Sequence, residues 1–268
     1  MKISEALRAA RARGLGENAA RTLMRFHSNL NNEEIFLLGR DELAREDDFF
    51  ALVTRFEGGE PLEYITGVCE FLGREFAVGE GVLVPRDETE ILVEKTLEVA
   101  AKFEAPRICE IGTGSGIIAV SLSLALPCAK IVATDISQTA LGWARKNAFK
   151  FECKNVDFVH SNLMNEVRGE FDIIVSNPPY IARDYPLDKW VRREPESALF
   201  GGERGDELLQ KIIALAAARG AKYLLCEMGY DQKTYLAPVL AARGFETEFY
   251  VELAGFDRGF VARNSNLK

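Results

Sequence analysis

Glu110-Ile111-Gly112-Thr113-Gly114-Ser115-Gly116 is the stretch that decides the fold. The apolar run 107–110 before it reads as a buried strand and the run 117–126 after it as a helix, so the glycines form a strand-to-helix turn. Glycine allows the tight backbone and lets a ligand approach the main chain, while the helix start offers unpaired N–H groups. The GxGxG spacing differs from the dinucleotide GxGxxG, but the loop alone fits any nucleotide-like ligand.

Downstream the pattern alternates: strand 130–134, helix 138–149, strands 156–160 and 171–176, helix 207–219, strand 223–226, a helix 232–243 containing Pro238, and closing strands 246–251 and 259–262. Such alternation predicts an α/β fold with a parallel sheet wound by helices. Upstream, apolar residues recur at helical spacing (Ile3, Ala6, Leu7, Ala10; Ala20, Leu23, Met24; Phe49, Leu52, Val53, Phe56), with breaks at Gly14–Gly16, Asn29–Asn32 and Gly58–Pro61. The expected organisation is a small helical bundle over 1–60, a β-hairpin linker over 61–84 with its turn inside Phe71–Phe76, and the α/β domain over 85–268. Asp87 and Glu90 have the spacing of a capping box that opens a helix running to about Phe103.

The 268 residues are 47% hydrophobic and 28% charged, which excludes disordered and collagen-like chains. No run reaches the roughly 20 apolar residues that span a bilayer. The start MKISEALRAARARG is amphipathic without the apolar core of a signal peptide, so a cytoplasmic protein with no membrane partner is expected. Five cysteines without a CxxC pair and two histidines predict no metal site. A net charge of -8 and a pI near 5.1 argue against direct nucleic-acid binding and favour a protein or small-molecule substrate.

Asp135 ends the second strand of the sheet about 20 residues past the loop, where a carboxylate accepts from ribose hydroxyls. Its other use is as an N-cap for the next helix. Glu110 before the glycines belongs to the same ligand site unless it merely faces solvent.

Asn177-Pro178-Pro179-Tyr180 follows a buried strand, at the sheet edge where ligands of open parallel sheets bind. Two prolines fix φ and remove two donors, leaving carbonyls and the Asn177 amide as an acceptor-rich wall for an NH2 group. An amide or aromatic amine nitrogen is a poor nucleophile because its lone pair is delocalised. Acceptance of its two N–H bonds by Asn177 Oδ1 and the Pro178 carbonyl orients the nitrogen toward an electrophile. The proton leaves after transfer, when the nitrogen has become acidic, so no dedicated base is needed. Tyr180 either stacks on the planar target or shields the sheet edge.

These residues resemble class I methyltransferases, in which the glycine loop holds the methionine part of S-adenosyl-L-methionine and the acidic strand end holds its ribose. Pro61-Leu62-Glu63-Tyr64-Ile65-Thr66-Gly67, Leu83-Val84-Pro85-Arg86-Asp87-Glu88-Thr89-Glu90, Glu194 to Gly202, Glu227 to Gln232 and Asp257-Arg258 extend the likeness, and the chain resembles the bacterial peptide-chain release factor glutamine methyltransferases. The resemblance implies a Rossmann-like class I methyltransferase sheet with a small N-terminal helical bundle joined by a β-hairpin. It implies N5-methylation of the glutamine in the Gly-Gly-Gln motif of class I release factors, with the N-terminal helices recruiting that partner. Site residues carried over are Asn177, Pro178 and Tyr180 for catalysis, Pro179 beside them for the substrate, and Glu110, Gly112, Thr113, Gly114, Gly116, Asp135, Asn162 and Asn177 for the cofactor. Asn162 stands where the family often has an acidic residue near the adenine, and a surface turn is its other reading. Arg86 and Glu90 divide between a site role and a loop charge and capping partner. The competing functions are methylation of an exocyclic amino group of adenine or guanine in DNA or RNA, and a non-catalytic cofactor-binding domain.

Overall fold

The computed structural model describes residues 1–267, which separate into two compact units. The first comprises residues 1–68 together with 187–193. It holds α1 (Ile3–Ala12), α2 (Glu17–Ser28), α3 (Asn32–Leu37), α4 (Glu46–Glu57) and α5 (Leu62–Thr66) around Leu23, Met24, Phe49 and Val53, which are buried. Helices end at the three breaks expected from sequence and also over 38–45, between α3 and α4, where none was expected. Helix α2 ends on Asn29 in the left-handed conformation (φ 57), and α3 opens on a capping box in which Asn31 Oδ1 accepts from Glu34 N at 3.0 Å and Glu34 Oε2 accepts from Asn31 N at 2.8 Å. Helix α5 lies where β-like runs were expected. Pro61 supplies a preset φ at its start, Gly67 closes it with φ 77, and Leu62 and Ile65, three apart, pack into the bundle. The distant segment 187–193 joins this unit through Trp190, whose ring lies 5.3 Å from Phe56 and whose Nε1 donates to the Phe56 carbonyl at 3.3 Å.

The second unit comprises residues 69–186 and 194–267. A hairpin of β1 (Val68–Phe71) and β2 (Arg74–Ala77) turns through Leu72 and Gly73, both left-handed, the backbone of a two-residue hairpin loop. Its Phe71 and Phe76 are buried in the core of this unit, with ring centroids 6.0 Å apart. Then come α6 (Thr89–Ala100), β3 (Arg107–Ile111), α7 (Ile117–Ala125), β4 (Lys130–Asp135), α8 (Gln138–Lys150), β5 (Val156–His160) and β6 (Ile173–Ser176). The short pair β7 (Ile181–Ala182) and β8 (Phe200–Gly202) follows, then α9 (Glu207–Ala218), β9 (Tyr223–Glu227), α10 (Lys233–Ala242) and the antiparallel β10 (Phe245–Val251) and β11 (Asp257–Asn264). The proposed capping box at the start of α6 does not form. Glu88 stands at the N-cap with no side-chain bond, and Glu90 Oε1 instead accepts from Leu72 N at 2.6 Å, because the turn leaves that amide without a strand partner.

The seven strands run in the order β10-β11-β9-β6-β3-β4-β5, with β9, β6, β3, β4 and β5 parallel. From β3 the chain moves outward through β4 and β5, then returns to build β6 and β9 on the other side. The carboxyl ends of β3 and β6 therefore flank the point where the strand order reverses, the ligand crevice of open α/β sheets. Side chains alternate between two cores: Ile108, Ile173, Val175 and Leu225 face one, and Cys109, Ile174, Leu224 and Cys226 the other. By the same alternation Glu110 and Glu227, at the ends of β3 and β9, point to the first.

Candidate active site

A cavity of about 390 Å³ opens at that crevice, in the range of small-molecule sites. Its wall includes Glu110, Gly112, Thr113, Gly114, Asp135, Asn162, Asn177, Pro178 and Pro179, contributed by the carboxyl ends of β3, β4, β5 and β6 and their loops. The second unit thus brings together nine of the residues singled out from sequence; Gly116 and Tyr180 lie off the wall.

The glycine loop explains this split. Gly112, Gly114 and Gly116 all have positive φ (74, 55 and 83). A Cβ on Gly112 would meet nothing within 4 Å, so that face of the backbone is open to a ligand, whereas one on Gly116 would sit 3.0 Å from Ala144 of α8. Gly116 is therefore a packing glycine. The loop is pinned from below by Gly112 N and Thr113 N, which donate to the Thr134 carbonyl at 2.8 and 2.9 Å.

Glu110 does not face solvent; it is fully buried. Its Oε2 accepts from Thr113 Oγ1 at 2.7 Å and from Ala119 N at 3.1 Å in the first turn of α7, while Oε1 has no partner. Burial pushes its carboxyl up to about 7 despite those bonds. Asp135 is no N-cap, since Ser137 fills that position with its Oγ accepting from Ala140 N. Instead Asp135 Oδ2 accepts from Gly114 N at 2.9 Å and Oδ1 from Ser137 N at 2.8 Å, and burial raises its carboxyl as well. A buried carboxyl group with an unpartnered oxygen and a half-buried one, beside an open stretch of glycine backbone, fit a ligand that carries both positive charge and vicinal hydroxyls. S-adenosyl-L-methionine has a sulfonium, an ammonium and a ribose, and the residues present fit it.

Ser176 Oγ donates to the Ile111 carbonyl at 2.7 Å and ties the end of β6 to β3. Asn177 Nδ2 donates to Thr89 Oγ1 at 3.0 Å. The backbone after it is held at close quarters: a Cβ on Gly201 would lie 2.5 Å from the Pro179 carbonyl. Gln232 Nε2 donates to the Tyr180 carbonyl at 2.8 Å. The Tyr180 hydroxyl donates to Glu227 Oε1 at 2.9 Å and accepts from Arg258 Nη1 at 3.5 Å. Its phenol is pushed well above the usual tyrosine range by burial and by Glu227. These bonds tie Tyr180 to the end of β9, to Gln232 and to Arg258, and its ring is not part of the cavity wall. Arg86 lies on the wall, bridged to buried Glu194 at 2.6 Å, whereas Glu90 is spent on the hairpin turn.

Sequence reading quoted Thr89, Glu194 and Glu227 within the family likeness but gave none of them a role. For Glu227 a signal existed: like Glu110 it is a carboxylate closing an apolar strand, Tyr223-Leu224-Leu225-Cys226. Among the described residues no group of His, Cys, Asp and Glu side chains could hold a metal ion, and no helix is long and apolar enough to cross a membrane.

A family model described as the PrmC N-terminal domain matches residues 2–67, and one described as the methyltransferase small domain matches residues 87–191. Over 249 residues the chain is 40% identical to the release factor glutamine methyltransferase of Neisseria gonorrhoeae, covering 89% of this chain and 90% of that one. Over 254 residues it is 35% identical to the protein of the same name from Deinococcus radiodurans, covering 92% and 90%. A solved methyltransferase from Pyrococcus furiosus shares the fold with a TM-score of 0.53 at 16% identity, over 72% of this chain and 90% of that one.

Proposed function

Because this chain belongs to the release factor glutamine methyltransferase family, we propose that it methylates N5 of the glutamine in the Gly-Gly-Gln motif of class I peptide-chain release factors. S-adenosyl-L-methionine, when bound, supplies the methyl group on a sulfonium that accepts an electron pair in line. The observation that carries the reading is the position of Asn177 and Pro178 on the wall of the same cavity as the glycine loop and Asp135.

Asn177 turns its NH2 to Thr89 and so leaves Oδ1 to accept from the substrate amide. The Pro178 carbonyl accepts the second N–H. With both hydrogens held, the nitrogen's lone pair is aimed across the cavity, and the bonds strengthen as positive charge builds on nitrogen during transfer. The proton is lost afterwards, so the chain needs no base at this position. Glu110, Gly112, Thr113, Gly114, Asp135 and Asn162 are assigned to the cofactor, and Gly116 to shaping the loop that meets it. The helical unit is assigned to engaging the release factor. A cytoplasmic location follows from a substrate that acts on the ribosome.

Purified protein given cofactor labelled on the methyl group should label a class I release factor. Labelling should fall to background when the target glutamine is replaced by alanine, and by about a hundredfold or more with Asn177→Ala. Undiminished labelling in either case overturns the assignment, and transfer to bare DNA or RNA would support exocyclic amino methylation instead.

A further inference from the structure

Glu227 closes β9 only 1% exposed, on the side of the sheet that faces α6, and the reaction as described makes no use of it. Its two oxygens are committed to different partners. Oε2 accepts from Thr89 Oγ1 at 2.7 Å, and Oε1 accepts from the Tyr180 hydroxyl at 2.9 Å. Thr89, wholly buried at the start of α6, in turn accepts from Asn177 Nδ2 at 3.0 Å.

We propose that Glu227 and Thr89 are positioning residues that fix which way the Asn177 amide points, presenting its oxygen and not its NH2 to the methyl acceptor. Burial raises the Glu227 carboxyl, while the hydroxyls of Thr89 and Tyr180 and the charge of Arg258 favour its ionised form. Ionised, it only accepts, so the single hydroxyl hydrogen of Thr89 is directed at Glu227. Thr89 Oγ1 then has only lone pairs to offer Asn177, and the asparagine must turn its NH2 there. A flipped amide would set Oδ1 against a hydroxyl oxygen whose hydrogen is already used, and two acceptors would face each other in a buried site. The two ends of an asparagine amide are nearly equal in size, so packing alone does not choose between them. The flip matters because the substrate's NH2 is a donor: it bonds to Oδ1 and is repelled by Nδ2. Arg258, 3.5 Å from the Tyr180 hydroxyl and paired with Glu252 at 3.0 Å, adds positive charge beside Glu227. Through Tyr180 the same carboxylate braces the far end of the tetrapeptide.

This inference rests on the proposed transfer to a glutamine amide, and its test separates the two. Thr89→Val keeps the volume and loses the hydroxyl. It should lower kcat roughly ten- to hundredfold while the cofactor dissociation constant, measured by calorimetry, stays within about twofold. Thr89→Ser should recover most of the rate, and Glu227→Gln, near-constant in volume but no longer acceptor-only, should lower kcat in the same direction. Asn177→Asp presents an oxygen whichever way it turns, so adding Thr89→Val to it should cost less than about threefold further. A Thr89→Val chain that binds cofactor and methylates at the wild-type rate overturns the inference, as does an equal loss from Thr89→Val with and without Asn177→Asp. A wild-type protein that does not label the release factor overturns the functional reading, and with it this one.

Discussion

Glu110 is a carboxylic acid kept from water with one oxygen bonded and one not. Its carboxyl is raised from 4.5 to about 7, so the sign of its effect on stability is fixed. Below pH 4.5 folded and unfolded chains both carry the proton. Between 4.5 and 7 the unfolded chain ionises first, and above 7 the folded chain bears a buried charge. That costs about 3 kcal/mol, from about 1.4 kcal/mol per pH unit of displacement. Urea unfolding of wild type and Glu110→Gln without cofactor should show their stabilities diverging in favour of the variant as pH rises from 4.5 to 8. A difference that does not change with pH would contradict this account. Glu110, Asp135 and Asn177 were legible in the sequence because each is a polar residue closing an apolar strand, and strand ends are local features. Glu227 carries the same strand-end signal, but its pairing with Thr89 was not legible, because 138 residues separate the two and their meaning lies in a shared hydrogen bond. Tyr180 was legible as part of the tetrapeptide but not in its orientation, which Glu227 and Arg258 decide.

In the loop between β3 and α7, Gly112 and Gly116 both have positive φ and differ in surroundings. Gly112→Ala carries only the strain of a side chain at positive φ, about 1–2 kcal/mol, and its methyl enters the ligand space. Gly116→Ala adds a collision with Ala144 at 3.0 Å, and should cost about 2–4 kcal/mol in all. Thermal melts should therefore rank Gly116→Ala well below Gly112→Ala, while calorimetry should show the larger loss of cofactor affinity per unit of stability in Gly112→Ala. The reverse ranking would remove the distinction between a packing glycine and a ligand-facing one. Sequence periodicity located most elements, including α1, α2 and α4 of the first unit and the alternation of the second, but it named no apolar spacing for α3. It failed at α5, whose five residues are too short to show a helical period, and at the start of α6, where Glu90 had the spacing of a cap but a turn amide as its partner.

For the chain as a whole, the class of fold was legible from alternation, but the strand order was not, because periodicity tells which face a residue takes and says nothing of which strand lies alongside. The allegiance of residues 187–193 was equally hidden: seven residues inside the α/β sequence pack with the helices of residues 1–68. A fragment lacking 1–68 should accordingly leave this segment without Phe56, Glu57 and Gly58, to which Trp190, Lys189 and Arg193 bond. Hydrogen exchange at Arg192 and Arg193, whose amides bond to Asp188 and Trp190 carbonyls in the intact chain, should be faster in the fragment. Equal protection would mean the segment folds without the helices. The same arrangement governs what a protease achieves. Cleavage of the bond after Val68 severs the chain but not the first unit, since residues 1–68 still hold 187–193 as though it were a bound peptide. The nicked molecule becomes a pair of complementing fragments, kept together by a dissociation constant and therefore by dilution, where the intact protein is indifferent to both.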